Sequence, residues 1–276
     1  KSLKQKRKKA EKENMDFVGW EALDKEKNEQ KNQSILVIKN KNGDIVSKIS
    51  NPLKKGINNV NWSLSSSIPT TVKSGSKSRY SSGVYTQAKE GKYDLFLYTR
   101  INGVVAEVSG PVELEVEKIR SGTLQNPLSD QHDEYYKKLA ETFTKVEMLE
   151  HKIEKASDRV DTYQSVLMRL KNDINKSSKL VFDLVEMKNK LERKIGGSES
   201  KKEVGEKDNL TVYDRLWSAR GGWYPNSYGP TALHMRSYDI AKKMLDRLEP
   251  EISDYLSKVD EVGKILEEAG APIVLD

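Results

Sequence analysis

Imidazole is the side chain that titrates nearest neutrality, so His132, His151 and His234 come first as candidates for metal binding or proton transfer. They do not cluster. His132 opens a long helical pattern, His151 falls two residues before Ile153 on the solvent side of a heptad, and His234 falls on the extrapolated seam of the last helix. No HExxH or paired-histidine spacing occurs, and the absence of cysteine excludes thiolate zinc ligands and disulfides. The 42 acidic residues could supply a glycosidase-like pair, but that chemistry needs one buried and one solvated acid across a cleft. Here they fall on heptad flanks and strand exteriors. Asp130, Asp133 and Glu134 suit the first turn of a helix, and Glu249 and Glu251 a solvated face. GxSxG, Walker-type and strand-linked GxGxxG motifs are missing. The expectation is a chain without catalytic residue, metal or cofactor.

The densest set of ligand-capable side chains is the segment 215–231, RLWSARGGWYPNSYGPT. Trp217, Trp223, Tyr224 and Tyr228 could stack a sugar or grip a peptide, with Arg220 and Asn226 adding polar contacts. These six form the candidate binding loop. The same residues can instead cap the end of a helical bundle, which is the weightier reading. Trp62 reads as a buried core anchor. A second candidate surface is Phe17, Val18, Trp20 and Leu23, apolar positions in an otherwise charged stretch that needs something to cover.

The elements that carry these residues divide the chain into three. Residues 1–33 form a charged helical connector, a helix or helix pair. Residues 34–119 alternate as strands, with hairpin signals at Asn42-Gly43 and Asn102-Gly103. A third strand is expected over 56–64, carried by Ile57, Val60, Trp62 and Leu64, and the serine-rich 65–82 loops out. Six or seven short strands of this kind fit an immunoglobulin- or fibronectin-like β-sandwich.

Residues 120–276 are helical. Leu139, Val146, Ile153, Val160, Leu167 and Ile174 recur every seven residues, which predicts one helix of about 45 residues. A second helix is expected over 178–195 and a short third over 210–219. The last runs through Ala241, Leu245, Leu248, Ile252, Tyr255, Val259, Val262 and Leu266. The apolar phase is the same on both sides of Pro250, which predicts one kinked helix. The fold class is α+β and multidomain, a sandwich followed by an antiparallel bundle with long helices.

Charge and hydropathy restrict the partners. Lys1, Lys4, Lys6, Arg7, Lys8, Lys9 and Lys12 against Glu11 and Glu13 put +5 of the net +6 into the first fourteen residues. Nucleic-acid binding needs a basic stripe on the folded surface, so it is not expected. No apolar run approaches the roughly 20 residues of a membrane-spanning helix. The start at Lys1 reads as the end piece of a longer polypeptide.

Taken together, the lysine-rich helix, W-x-A-L from Trp20 to Leu23, NGDIV, GINNVNWSL and EGKYDLFLYTRINGVVAEVSGPVELEVEKI resemble one family's C-terminal region. That family is the secreted, Bacteroidetes-type sortilin-like or glycosyl hydrolase-like β-propeller proteins. The closing residues, Tyr228 to Thr231 and Leu266 to Pro272, are similar too. The resemblance implies a propeller N-terminal to this piece and export to the periplasm, outer membrane or cell exterior. It transfers no catalytic residue, since the family's hydrolase label rests on the propeller, and the matching Gly56, Asn58, Trp62, Gly91, Tyr93, Gly110, Pro111, Pro230 and Thr231 read as structural. After the tryptophan, Ser63, Leu64 and Ser65 stand where the family has an acid and an arginine. The expected function is a non-catalytic accessory module docking onto its own propeller or a cell-envelope protein. The alternatives are a carbohydrate-binding module, or part of a glycoside hydrolase whose active site lies in the propeller.

Overall fold

The computed structural model describes residues 3–12, 19–67, 84–120, 131–169, 174–221 and 229–271. The chain divides into two units, Lys1–Ser67 with Gln87–Gly122, and Ile68–Thr86 with Thr123–Asp276. The architecture is α+β: a four-stranded antiparallel sheet in the first unit and several helices, most of them in the second.

The first unit begins with two helices, α1 (Leu3–Lys12) and α2 (Trp20–Lys27). Charged hydrogen bonds hold them together. The Arg7 guanidinium donates to both Glu26 oxygens, at 2.6 and 3.1 Å, and the Glu29 carboxylate accepts from the otherwise unpaired Leu3 N–H. Strands β1 (Gln33–Asn40) and β2 (Ile45–Pro52) form the expected hairpin. Its turn is tied by the Asn40 side chain, which accepts from the Asn42 and Asp44 N–H groups.

The expected strand over 56–64 is absent. Asn58 turns its side chain onto the Lys54 and Gly56 carbonyls and the Lys54 N–H, so local side-chain bonds replace a ladder. Ile57 is 95 % exposed, and Leu64 has a φ of 54°. Only Ser65–Ser67 (β3) is extended there, forming a two-stranded pair with β4 (Tyr85–Gln87). Trp62 still reaches the core. It is half-buried, edge-on to Tyr93 at 5.4 Å, and its Nε1 donates to the Ser65 carbonyl.

Strands β5 (Gly91–Ile101) and β6 (Val104–Val116) meet at Asn102-Gly103, both with positive φ, as a type I′ turn demands. The strand after this turn runs unbroken for 13 residues. Among the described residues the sheet order is β2-β1-β5-β6, with β6 at an edge. Ile38, Val46 and Tyr93 form the buried centre of this unit.

In the second unit, α3 (His132–Leu167), α4 (Ile174–Gly196), α6 (Val212–Arg220) and α7 (Ala232–Glu268) all pack against one another, and α5 (Glu199–Glu203) is about one and a half turns between α4 and α6. The α3 helix stops at Leu167, shorter than its heptads suggest, and α4 begins four residues earlier than expected. The apolar series is buried as its spacing requires. Leu139, Val146, Ile153, Val160 and Leu167 on α3 and all eight seam positions of α7 are 7 % exposed or less. The α7 helix continues through Pro250 without interruption.

One close approach fixes α7 against α3. Tyr163 is fully buried, its hydroxyl donates to the Val259 carbonyl at 3.2 Å and accepts from Arg159, whose other nitrogen donates to Asp260 at 2.6 Å. A Cβ on Gly263 would lie 2.5 Å from that hydroxyl and 3.2 Å from Cζ, inside contact distance of a ring with nowhere to move. Alanine gains about 1 kcal/mol of helix propensity over glycine. Gly263→Ala is nevertheless expected to lower the unfolding free energy by about 1–3 kcal/mol in urea titrations. The penalty should shrink in a Tyr163→Phe background. Equal penalties in both backgrounds would mean that the hydroxyl is not what the methyl meets.

Candidate functional site

The second unit carries a cleft of about 500 Å³ where the end of α4, the α5 corner and the middle of α7 converge. Its shape follows from local chain chemistry. Gly197, with a φ of 88°, ends α4 and returns its N–H to the Arg193 carbonyl. Ser198 then caps α5, and Thr211 and Asp214 form a reciprocal capping box that starts α6. Between them Asp208 ties the corner. Its carboxylate accepts from the Ser198 N–H at 2.9 Å, the Asn209 N–H at 2.8 Å and Lys201 Nζ at 3.1 Å. These bonds, the two backbone ones foremost, hold its pKa down at about 2.

The cleft lining is cationic at the rim and apolar at the floor. Leu248 is buried, with Met244 half-buried beside it. Lys194 donates twice to Glu251, at 2.7 and 2.5 Å. Arg193 from α4 and Arg247 from α7 line the same cleft, and neither pairs with a carboxylate among the described residues.

Nothing in the sequence singled this cleft out. Arg193 and Lys194 look like the basic last turn of any helix, and Arg247 and Glu251 like an ordinary i,i+4 pair. The one available signal was Gly196-Gly197 followed by a polar run ending in a cap.

Of the candidate binding loop, Trp223, Tyr224, Asn226 and Tyr228 lie outside the described residues, while Trp217 and Arg220 sit in the last turns of α6. Trp217 is half-buried against the helical core, with the Arg220 guanidinium 5.0 Å from its ring centre. The neighbourhood is an aromatic one. The Tyr135 hydroxyl donates to the Ala219 carbonyl, and its ring stands edge-on to Tyr136 and Tyr238. Burial pushes the Tyr135 and Tyr136 phenols up. What is described of this segment therefore closes the end of the core.

The connector set is likewise split. Phe17 and Val18 lie outside the described residues, Trp20 is 76 % exposed and Leu23 is half-buried.

The histidines have separate tasks. His132 packs on Tyr136, and His151 lies near Glu154. His234 is not a seam residue. It accepts from the Thr231 N–H in the capping box of α7, and burial lowers its pKa. Glu249 is not on a solvated face either, since it is half-buried and pairs with Lys145 of α3. Among the described residues no group of three acidic or histidine side chains could hold a metal, and no helix is long and apolar enough to cross a membrane. The chain matches no family model, and comparison with curated proteins and with solved structures finds no match.

The corner carboxylate gives a pH test. A folded pKa below the unfolded value means that the stabilisation is fully present above the unfolded value of about 3.9 and is lost as pH falls through the folded one. The Ser198 and Asn209 amide resonances should therefore titrate with a midpoint near 2. In Asp208→Asn that transition should vanish. A wild-type midpoint close to 4 would show that the backbone N–H groups do not hold the carboxylate.

Proposed function

We propose that this chain is a non-catalytic interaction module of a larger exported protein, and that it docks onto a β-propeller of the same polypeptide. The observation that carries this reading is the edge strand β6. It is exposed along nearly its whole length, and Val104, Val105, Val108 and Val112 are each more than half exposed. An uncovered apolar edge is a pairing template that folded proteins normally shield, so a surface of this kind calls for a cover. Exposed Trp20 and Ile57 in the same unit add apolar area of the same sort.

The residue resemblance to sortilin-like propeller proteins supplies the nature of the cover and the periplasmic or cell-surface location. The finer architecture belongs to the same proposal: an immunoglobulin-like sandwich in 34–119 and an antiparallel bundle in 120–276. Support for the first is the pair of tight hairpins flanking one antiparallel sheet, and for the second the unbroken burial of the heptad positions on α3 and α7. The described half of the aromatic segment speaks for a structural cap rather than a sugar platform, because Trp217 faces the core and Arg220 covers its ring.

A photo-reactive amino acid at Val108 of the full-length polypeptide, irradiated in cells, tests the docking. The expected product is an internal crosslink to propeller peptides, absent when the residue is placed at exposed Lys155 on α3. Crosslinks to glycan only, or none above the Lys155 control, would overturn it.

A further inference from the structure

We propose that the cleft between the end of α4 and the middle of α7 binds a short-chain dicarboxylate. This inference stands on the helical unit alone and does not depend on the docking of the sheet edge. The volume of about 500 Å³ falls within the range of small-ligand sites. Arg193 and Arg247 come from different helices to the same concavity, and each guanidinium presents a fork suited to one carboxylate.

The cleft's own acids cannot satisfy them. The Asp208 carboxylate is committed to two backbone N–H groups and Lys201, and Glu251 is committed to Lys194 through both oxygens. Two cationic groups therefore face the cleft with their charge uncompensated by any described carboxylate. Between them Leu248 and Met244 offer an apolar floor for a carbon stem. The lining has no aromatic ring, so a neutral sugar would find no stacking surface. Two anionic ends joined by a few methylenes match that arrangement.

Glutarate is the probe, titrated into the chain at low salt and followed by calorimetry and by the arginine Nε–H resonances. Saturable binding with shifts at Arg193 and Arg247 is expected. Replacing two charge-assisted contacts in Arg193→Gln/Arg247→Gln should weaken it by about tenfold or more. Added salt should weaken it too, since both arginines are exposed. Lys155→Gln should bind as wild type, and dimethyl glutarate should not bind. Thermal melts of the double variant should match wild type, because the replaced side chains are exposed. No saturable binding, unchanged affinity in the double variant, or equal binding of the diester would each overturn the assignment.

Discussion

Burial of the α7 seam against α3 and α4 is the constraint on which the helical unit rests. Ala241, Leu245, Leu248, Ile252, Tyr255, Val259, Val262 and Leu266 alternate at spacings of four and three, so the same stripe faces inward for about seven turns. Each fully buried Leu, Ile or Val contributes roughly 1.5–3 kcal/mol relative to exposure, so the stripe outweighs the hydrogen bond that Pro250 forgoes. Because the stripe fixes the rotation of α7, it also fixes what its flanks present. Arg247 and Glu251 flank buried Leu248, and they can only emerge beside the end of α4.

The sheet unit is governed by a smaller version of the same constraint. Ile38, Val46 and Tyr93 make up its buried centre, with Trp62 as a lid held by one hydrogen bond. On the far strand only Val116, at the end of β6, packs against that centre, and Val104, Val105, Val108 and Val112 stay in water. Ion pairs do part of the work that packing does elsewhere. Lys41 spans Asp94 and Glu113 across the sheet, and these carboxylates raise its pKa while hydrogen bonds from Lys92 and Lys41 lower that of Glu113. Exposed pairs of this kind contribute little individually, so they do not make up for the core that the edge of the sheet lacks.

Legibility in the sequence followed the physics of each feature. Heptads were readable because a 3.5-residue period is produced by little except a buried helical stripe, and both hairpins because Asn-Gly readily supplies the positive φ a tight turn needs, at Gly43 in one and at both Asn102 and Gly103 in the other. The strand over 56–64 misled because alternation reports which faces are apolar, not whether a partner exists for the backbone. There the Asn58 amide bonds its own neighbours and no ladder forms. His234 misled for a related reason: extrapolating the seam to the first turn ignores that the N-terminal N–H groups need acceptors, and His234 supplies one. The cleft was illegible because charged residues that line a concavity and those that face bulk water have the same sequence pattern.

What separates the two cases is where the acids go. A carboxylate near four cations would ordinarily neutralise whichever guanidinium it could reach, since solvent-exposed ion pairs form and break at little cost. Asp208 does not have that freedom. Two N–H donors in fixed directions at the α5 corner make its ionised form more favourable than a mobile pairing would, as its depressed pKa records, and they hold it on the backbone. Glu251, fixed by the α7 stripe, meets Lys194 first. The result is a charge separation imposed by chain geometry: anions spent on closing the corner, guanidinium groups left facing the cleft.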